Sequence, residues 1–274
     1  MKTPAGGDCV ATIVIPARYA SSRYPGKPLA QIRGAGGVEK SLIERSHQAA
    51  SSVIGGARVV VATDDARIAA AARGFGAAVA MTPAECANGT ERVAAAIAGE
   101  EDISAVIVNF QGDALLTPPS LVDMLIAHMA AHPACPVATI AVRASSSTYD
   151  YLVADQSKGR AGGTTVVVGE DGKALYFSKR VLPFIAPDTP AASQPPVLLH
   201  IGIYAYRVGA LREYAALAPT MLEQLEGLEQ LRFLSHGIPV AVVVAEAPAW
   251  DLIELNNPGD LAIIEAILAK RGVE

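Results

Sequence analysis

The sequence predicts an α/β fold built on a mainly parallel sheet, and three observations predict it. Short apolar runs alternate with alanine-rich stretches of helical character, the signature of βαβ units. The first run, around Ile13–Ile15, is β-branched without polar alternation, which suits a strand buried on both faces. A chain of 274 residues, 51% of them apolar, is long enough for a sizeable core, yet no run reaches the roughly 18 uninterrupted apolar residues of a membrane span.

The elements follow in order. Strands are expected at Ala11 to Ile15, Arg58 to Ala62, Ala78 to Met81, Ala105 to Phe110 and Val137 to Val142. Helices are expected at about Lys40 to Ser51, Asp65 to Arg73, Thr90 to Ala98 and Pro119 to Ala131. Asp64 and Asp65 suit a helix cap, as does Ser120 behind Pro118 and Pro119, so Asp64 is read as structural. After about Ser145 the pattern changes. Val166 to Val168 and Ala174 to Phe177 flank Gly169-Glu-Asp-Gly172, a hairpin signal that predicts an antiparallel arm. Pro183 through Pro196 holds five prolines and reads as an irregular loop. A strand at His200 to Tyr206, a helix from about Met221 to Ser235, a strand at Val240 to Ala245 and a helix after Asn257-Pro258 complete the chain. Within the helix, Leu222, Leu225, Leu228 and Leu231 form an apolar stripe read as core packing, with Glu226 and Gln230 on one face and Glu229 near Arg232. The whole is expected to be a single domain over residues 1–274, with the arm and proline-rich loop inserted at about 146–197.

Composition narrows the function. A net charge of −5 disfavours nonspecific nucleic-acid binding. The N-terminus lacks the apolar stretch of a signal peptide, so a cytoplasmic protein without membrane attachment is expected. Cys9, Cys86 and Cys135 form no CxxC pair and are read as small buried apolar residues rather than a disulfide framework or zinc site. Against this acidic background, Arg18, Arg23 and Lys27 crowd the loop after the first strand, stiffened by Pro16, Pro25, Gly26 and Pro28. Ligands of open α/β sheets bind outside the carboxyl ends of the strands, so this loop is suited to a small polyanion such as a row of phosphates. The strand ending at Phe110 delivers Gln111-Gly112-Asp113 to the same kind of sheet edge. A carboxylate facing phosphates implies a magnesium ion. No GxGxxG follows the first strand, which disfavours a dinucleotide-dependent dehydrogenase.

Taken in order, Pro16-Ala-Arg-Tyr-Ala-Ser-Ser-Arg-Tyr-Pro-Gly-Lys-Pro-Leu29, Val61-Ala-Thr-Asp64, Gly89-Thr-Glu-Arg92, Gln111-Gly-Asp113, Ala174-Leu-Tyr-Phe-Ser178, His200-Ile-Gly-Ile-Tyr204 and Leu228-Glu-Gln-Leu-Arg232 resemble the cytidylyltransferases that activate 3-deoxy-manno-octulosonate (Kdo), the CMP-Kdo synthetases, along almost the whole chain. The resemblance implies a Rossmann-like nucleotidyltransferase sheet with helices on both faces and a small antiparallel β arm. It implies that Arg18, Lys27 and Asp113 are catalytic, that Ala17, Arg18, Ser22, Arg23, Lys27, Gly89, Thr90 and Arg92 bind CTP, and that Gln111, Lys179, His200, Tyr204, Glu229 and Gln230 bind the sugar acid. Asp113 and Asn256 would hold Mg2+, and a homodimer is expected.

Several positions depart from the family pattern. Ala114 and Leu115 stand where relatives carry Glu-Pro, Asn256 where they carry an aspartate, Thr165 where they carry a lysine and Lys179 where they carry an arginine. An amide oxygen holds magnesium more weakly than a carboxylate, and Asp251 or Glu254 is a candidate to compensate. These departures leave two alternatives: the same transfer to another acidic acceptor, a different sugar acid or a phosphonate, or a non-catalytic nucleotide-binding subunit.

Overall fold

Ala11, Thr12, Ile13, Val14 and Ile15 are all nearly inaccessible in strand β1 (Ala11–Ala17), so both faces of the sheet are covered at this point. The computed structural model describes residues 11–20, 24–54, 57–100, 104–186 and 197–274. Ser22, Arg23 and Cys9, together with most of the predicted proline-rich loop, lie outside the described residues.

The described chain divides into two compact units, one of residues up to Ile126 together with Pro248–Glu274, the other of Ala127–Ala247. In the first, β1 is followed by a small antiparallel pair, β2 (Gln31–Arg33) and β3 (Glu39–Ser41), and then by α1 (Leu42–Ser51). Next come β4 (Arg58–Thr63), α2 (Ala66–Gly74), β5 (Ala78–Met81), α3 (Gly89–Ile97) and β6 (Val106–Asn109). Every pairing in the order β6, β1, β4, β5 is parallel. That is the βαβ alternation read from the sequence.

Side-chain caps start the helices where the sequence supplies them. Ser41, Asp65 and Asn88 accept backbone N–H groups at the first turns of α1, α2 and α3. Of the two candidate caps, Asp65 caps α2, whereas Asp64 is paired with Arg92. Helix α4 (Pro119–Ala131) begins at its proline, so Ser120 lies inside the first turn and not at the cap, a correction to the sequence reading.

The second unit contains β7 (Val137–Arg143), α5 (Ser146–Ser157), the hairpin β8 (Thr165–Val168) and β9 (Ala174–Ser178), and the long β10 (Leu198–Tyr206). It continues with α6 (Val208–Ala216), α7 (Met221–Glu226), α8 (Leu231–Ser235) and β11 (Val240–Ala245). Strand β11 runs parallel to β7, while β7–β10, β10–β8 and β8–β9 are antiparallel. The Asp-Gly hairpin turn is present, with Gly172 at φ 75°.

The helix expected over Met221–Ser235 is two helices. Thr220 and Glu223 form a reciprocal capping box that starts α7, and Gly227, at φ 59°, ends it one turn and a half later. The break overturns the stripe. Leu225 is 76% exposed and Leu222 40%, while Leu231 is buried: the first two lie on α7, Leu228 in the turn after it and Leu231 at the start of α8, so the four share no single helix face.

The chain returns to the first unit with α9 (Asp260–Arg271). Its Ile264 and Leu268 pack with Leu115, Leu116, Leu42 and Ile32, and Trp250 Nε1 donates to the Leu116 carbonyl at 2.8 Å. Ala114, Leu115 and Leu116 are buried as well. Of the two apolar residues that follow Asp113, Leu115 belongs to this cluster and Ala114 is buried outside it.

Candidate active site

Position follows from strand ends. Ala17 closes β1, and Arg18, directly after it, is exposed. The chain then turns so that Gly26 N–H donates to the Tyr19 carbonyl at 3.0 Å, and Gly26 adopts φ 73° before a short 3-10 turn at Lys27–Leu29. A left-handed residue there must be small, since a Cβ would meet the Tyr19 ring at 3.0 Å. Tyr19 is itself covered by the Arg67 guanidinium, 3.4 Å from the ring centroid. This frame delivers the Lys27 ammonium to the Asp113 carboxylate at 2.5 Å, with both side chains about four-fifths shielded from solvent.

Asp113 is set by the end of β6. Phe110 N–H donates to Val14 O at 3.0 Å, extending the pairing past the strand, and Ala114 N–H closes a turn onto Gln111 O. Ser46 Oγ donates to the Gly112 carbonyl at 2.8 Å. A Cβ on Gly112 would stand 2.7 Å from the Pro16 carbonyl oxygen, so glycine lets this turn lie directly against the end of β1.

The Gly89–Arg92 motif opens α3. Asn88 caps it, and Glu91 reaches back to the Ala87 N–H at 2.8 Å. Thr90 and Arg92 are buried. Arg92 Nη1 donates to Thr82 Oγ1 at 2.6 Å and lies 3.1 Å from Asp64 Oδ1, a buried oxygen that accepts no hydrogen bond among the described residues. Arg92 thus ties the ends of β4 and β5 to the helix start. Its side chain is committed to protein partners, whereas Gly89 at the first turn is partly accessible.

Asn256 is held through its backbone. The Asp260 carboxylate accepts from Asn256 N at 2.8 Å and Asn257 N at 2.7 Å. Asp251 lines a surface cleft of about 460 Å3 with Trp250, Lys270 and Arg271. No grouping of three or more His, Cys, Asp or Glu side chains suited to a metal occurs among the described residues. Asp113 and an Asn256 amide are oxygen donors too few for a protein cage. A donor set of that size would suit only an ion held chiefly by substrate phosphates and water, the usual mode for magnesium.

Of the residues expected on the acceptor side, Lys179, His200, Tyr204, Glu229 and Gln230 lie in the second unit and Gln111 in the first. His200 sits on β10 with its Nε2 3.0 Å from Thr139 Oγ1, its ring between Phe177 (5.0 Å, edge-on) and Tyr204 (5.3 Å). Burial pushes the His200 pKa down to about 3, so the ring is neutral near pH 7. Tyr204 stacks on Tyr206, and the aromatic contacts continue through Phe233 to Tyr214. Tyr214 OH donates to the Glu229 carbonyl at 3.2 Å. Gln230 is 2% exposed, and its Nε2 has no hydrogen-bond partner among the described residues. Arg232, equally buried, is gripped by both oxygens of Glu223 at 2.6 and 2.8 Å.

Lys179 follows β9. Its ammonium lies 2.9 Å from where a Cβ of Gly227 would stand, at the carboxyl end of α7 where helix carbonyls favour a cation. Glu226 staples the arm to this turn, accepting from Ser178 Oγ at 2.7 Å and Lys179 N at 3.0 Å. Thr165 serves the arm internally: its hydroxyl donates to Arg180 O at 2.6 Å and accepts from Leu182 N at 3.2 Å. Thr139, Glu223 and Glu226 were not singled out for these roles by sequence; their partners are 61, 9 and 48 positions away, and no local motif marks them.

The family model for cytidylyltransferases matches residues 12–242. This chain belongs to the cytidylyltransferase family. Among relatives of this cytidylyltransferase, the 3-deoxy-manno-octulosonate cytidylyltransferase of Maricaulis maris is 42% identical over 94% of this chain and 97% of its own, and that of Chlamydia abortus 40% identical over 93% and 92%. A solved CMP:2-keto-3-deoxy-manno-octonic acid synthetase complexed with CTP superposes with a TM-score of 0.80 at 35% identity, covering 95% of this chain and 99% of that one. A 4-diphosphocytidyl-2C-methyl-D-erythritol synthase from Anaerococcus prevotii shares the fold, with a TM-score of 0.58 at 12% identity. The cytidylyltransferase fold is thus the α/β arrangement, with a mostly parallel sheet and a small antiparallel element, that the sequence predicts.

Proposed function

We propose that this cytidylyltransferase transfers CMP from CTP to the anomeric hydroxyl of Kdo. The observation that carries the reading is the near full-length match to a synthetase of that kind complexed with CTP, together with about 40% identity to relatives named for the same transfer. The acceptor oxygen attacks the α-phosphorus, the bond to the β-phosphate bridging oxygen breaks, and pyrophosphate leaves with that electron pair. The acceptor hydroxyl proton passes to solvent.

Phosphoryl-type transfer asks a protein mainly for positioning and charge neutralisation. Arg18 and Lys27 supply positive charge to the triphosphate, and Lys27 is presented on a stiff turn. Asp113 keeps that ammonium oriented before the nucleotide arrives. Ala17, Ser22, Arg23, Gly89 and Thr90 complete the nucleotide side in this reading, with Arg92 ordering the start of α3. Mg2+, held by Asp113 and Asn256 with the phosphates, would offset charge on the α- and β-phosphates. Gln111, Lys179, His200, Tyr204, Glu229 and Gln230 select the acceptor. The neutral His200 ring offers hydrogen bonding without charge, while Lys179 is suited to the sugar carboxylate.

The family model spans residues of both units, which supports reading them as parts of one nucleotidyltransferase domain. Leu175 (64% exposed) and Phe184 (84%) leave apolar surface on and after the arm, which supports a homodimer; sedimentation as a monomer at micromolar concentration would contradict it. No helix among the described residues is long and apolar enough to cross a membrane.

Pyrophosphate release with CTP and Mg2+ across Kdo, its 8-amino analogue, sialic acids and small phosphonates tests the reading. Turnover with Kdo exceeding the others supports it. Turnover only with another acceptor would make Ala114, Thr165, Lys179 and Asn256 the markers of altered specificity and overturn the Kdo assignment.

A further inference from the structure

Strand β10 contains a bulge beside the histidine. Its pairing with β7 runs from Leu198↔Arg143 to Ile201↔Ile140 and resumes at Tyr204↔Thr139, leaving Gly202 and Ile203 without counterparts. The bulge brings two carbonyls to one hydroxyl: Thr139 Oγ1 lies 2.7 Å from Ile203 O and 3.4 Å from Ile201 O. The same oxygen lies 3.0 Å from His200 Nε2.

A threonine hydroxyl carries one proton, and a carbonyl oxygen can only accept. With Thr139 fully buried, turning that proton toward His200 would leave two oxygens facing lone pair to lone pair at 2.7 Å, with no water to relieve them. The proton therefore belongs to Ile203 O, and Oγ1 is an acceptor toward the ring. We propose that Thr139 is a positioning residue that fixes His200 as the Nε2–H tautomer and leaves the Nδ1 lone pair to accept a hydrogen bond from a hydroxyl of the sugar-acid acceptor. Nδ1 has no partner among the described residues. The rings of Phe177 and Tyr204 hold the imidazole from the sides, so the tautomer, not rotation, decides what it offers. This inference rests on reading His200 as an acceptor-side residue.

Histidine-ring 15N correlation spectra of the substrate-free protein, with the His200 signals assigned by their loss in His200→Asn, read the tautomer directly. A protonated Nε2 with a pyridine-type Nδ1 is expected; a protonated Nδ1 overturns the proposal. Steady-state kinetics read the consequence. Thr139→Val is expected to mix the tautomers and raise KM for Kdo about tenfold, the effect of one hydrogen bond, with KM for CTP unchanged. Thr139→Ser, which keeps the hydroxyl, restores both. Equal rises for Kdo and CTP, or no rise, overturn the positioning role. Should Thr139→Val fail to fold, the wild-type spectrum still decides the tautomer. Absence of Kdo turnover by the wild-type enzyme would remove the acceptor reading while leaving the spectrum to stand or fall by itself.

Discussion

Lys27 and Asp113, 86 positions apart, meet at 2.5 Å in the first unit, each side chain about four-fifths shielded from solvent. In the proposed reaction the pair would exchange partners. A triphosphate can take the ammonium and a metal can take the carboxylate, so each partner leaves one charge for another of the same sign when substrate arrives. Pairing the two ions spares the fold two isolated, half-desolvated charges.

Lys27→Ala should fold normally and lose two to three orders of magnitude in kcat, about the cost of removing one preorganised donor to a developing charge. Steady-state kinetics alongside a thermal melt check it. Unchanged turnover would remove Lys27 from the phosphate site.

Gly112→Ala tests the close approach of two strand ends. The new methyl group meets backbone at 2.7 Å and not the yielding tip of a side chain, so the Gln111–Asp113 turn must shift. Displacement of even about 1 Å can cost on the order of 10²-fold in rate. A loss of kcat exceeding any loss of melting temperature is expected.

Glu223→Ala acts on stability. It strips both carboxylate hydrogen bonds from Arg232, which is 2% exposed, lies 4.3 Å from the Tyr214 ring and keeps a bond from Nη1 to Leu217 O, leaving a buried charge without its carboxylate. Such losses run to about 3–5 kcal/mol, which urea denaturation resolves. A change below about 1 kcal/mol would show that Arg232 finds solvent or another partner.

His200 makes stability depend on pH in a definite direction. Its folded pKa, near 3, lies below the ordinary 6.5, so between those values the unfolded chain binds a proton that the folded chain excludes. Stability is therefore full above pH 6.5 and falls as the pH drops, by up to about 1.4 kcal/mol per unit. His47 and His128, also lowered by burial, add to the same trend. Denaturation midpoints at pH 7 and 5 should differ less in His200→Asn than in the wild type; equal differences would refute the assignment.

Much of this architecture was legible because sheet strands carry short apolar runs: β1, β4, β5, β6, β7 and β11 lie within about a residue or two of where those runs predict, including β5, whose Ala-Val-Ala-Met is only partly buried at the end of the sheet. Helix α5 was not, since Ser-Ser-Thr-Tyr-Asp-Tyr lacks both strong helix formers and an apolar repeat, and its start depends on the Ser145 cap. The Leu222–Leu231 stripe misled because period-three spacing does not reveal that Gly227 leaves the helix, which a single left-handed residue decides. In the site, loop chemistry announced Lys27 and Asp113. Their contact, the commitment of Arg92 to Asp64 and Thr82, and the Thr139–His200 bond depend on distant segments that no local pattern encodes.

Mass analysis of the product formed from CTP, Mg2+ and Kdo, with pyrophosphatase present to draw the reaction forward, tests the central claim most directly. The account predicts a species joining CMP to Kdo with loss of the pyrophosphate group, formed by the wild type and strongly reduced in Lys27→Ala. Free CMP without the joined species, or an equal yield from both proteins, would contradict it.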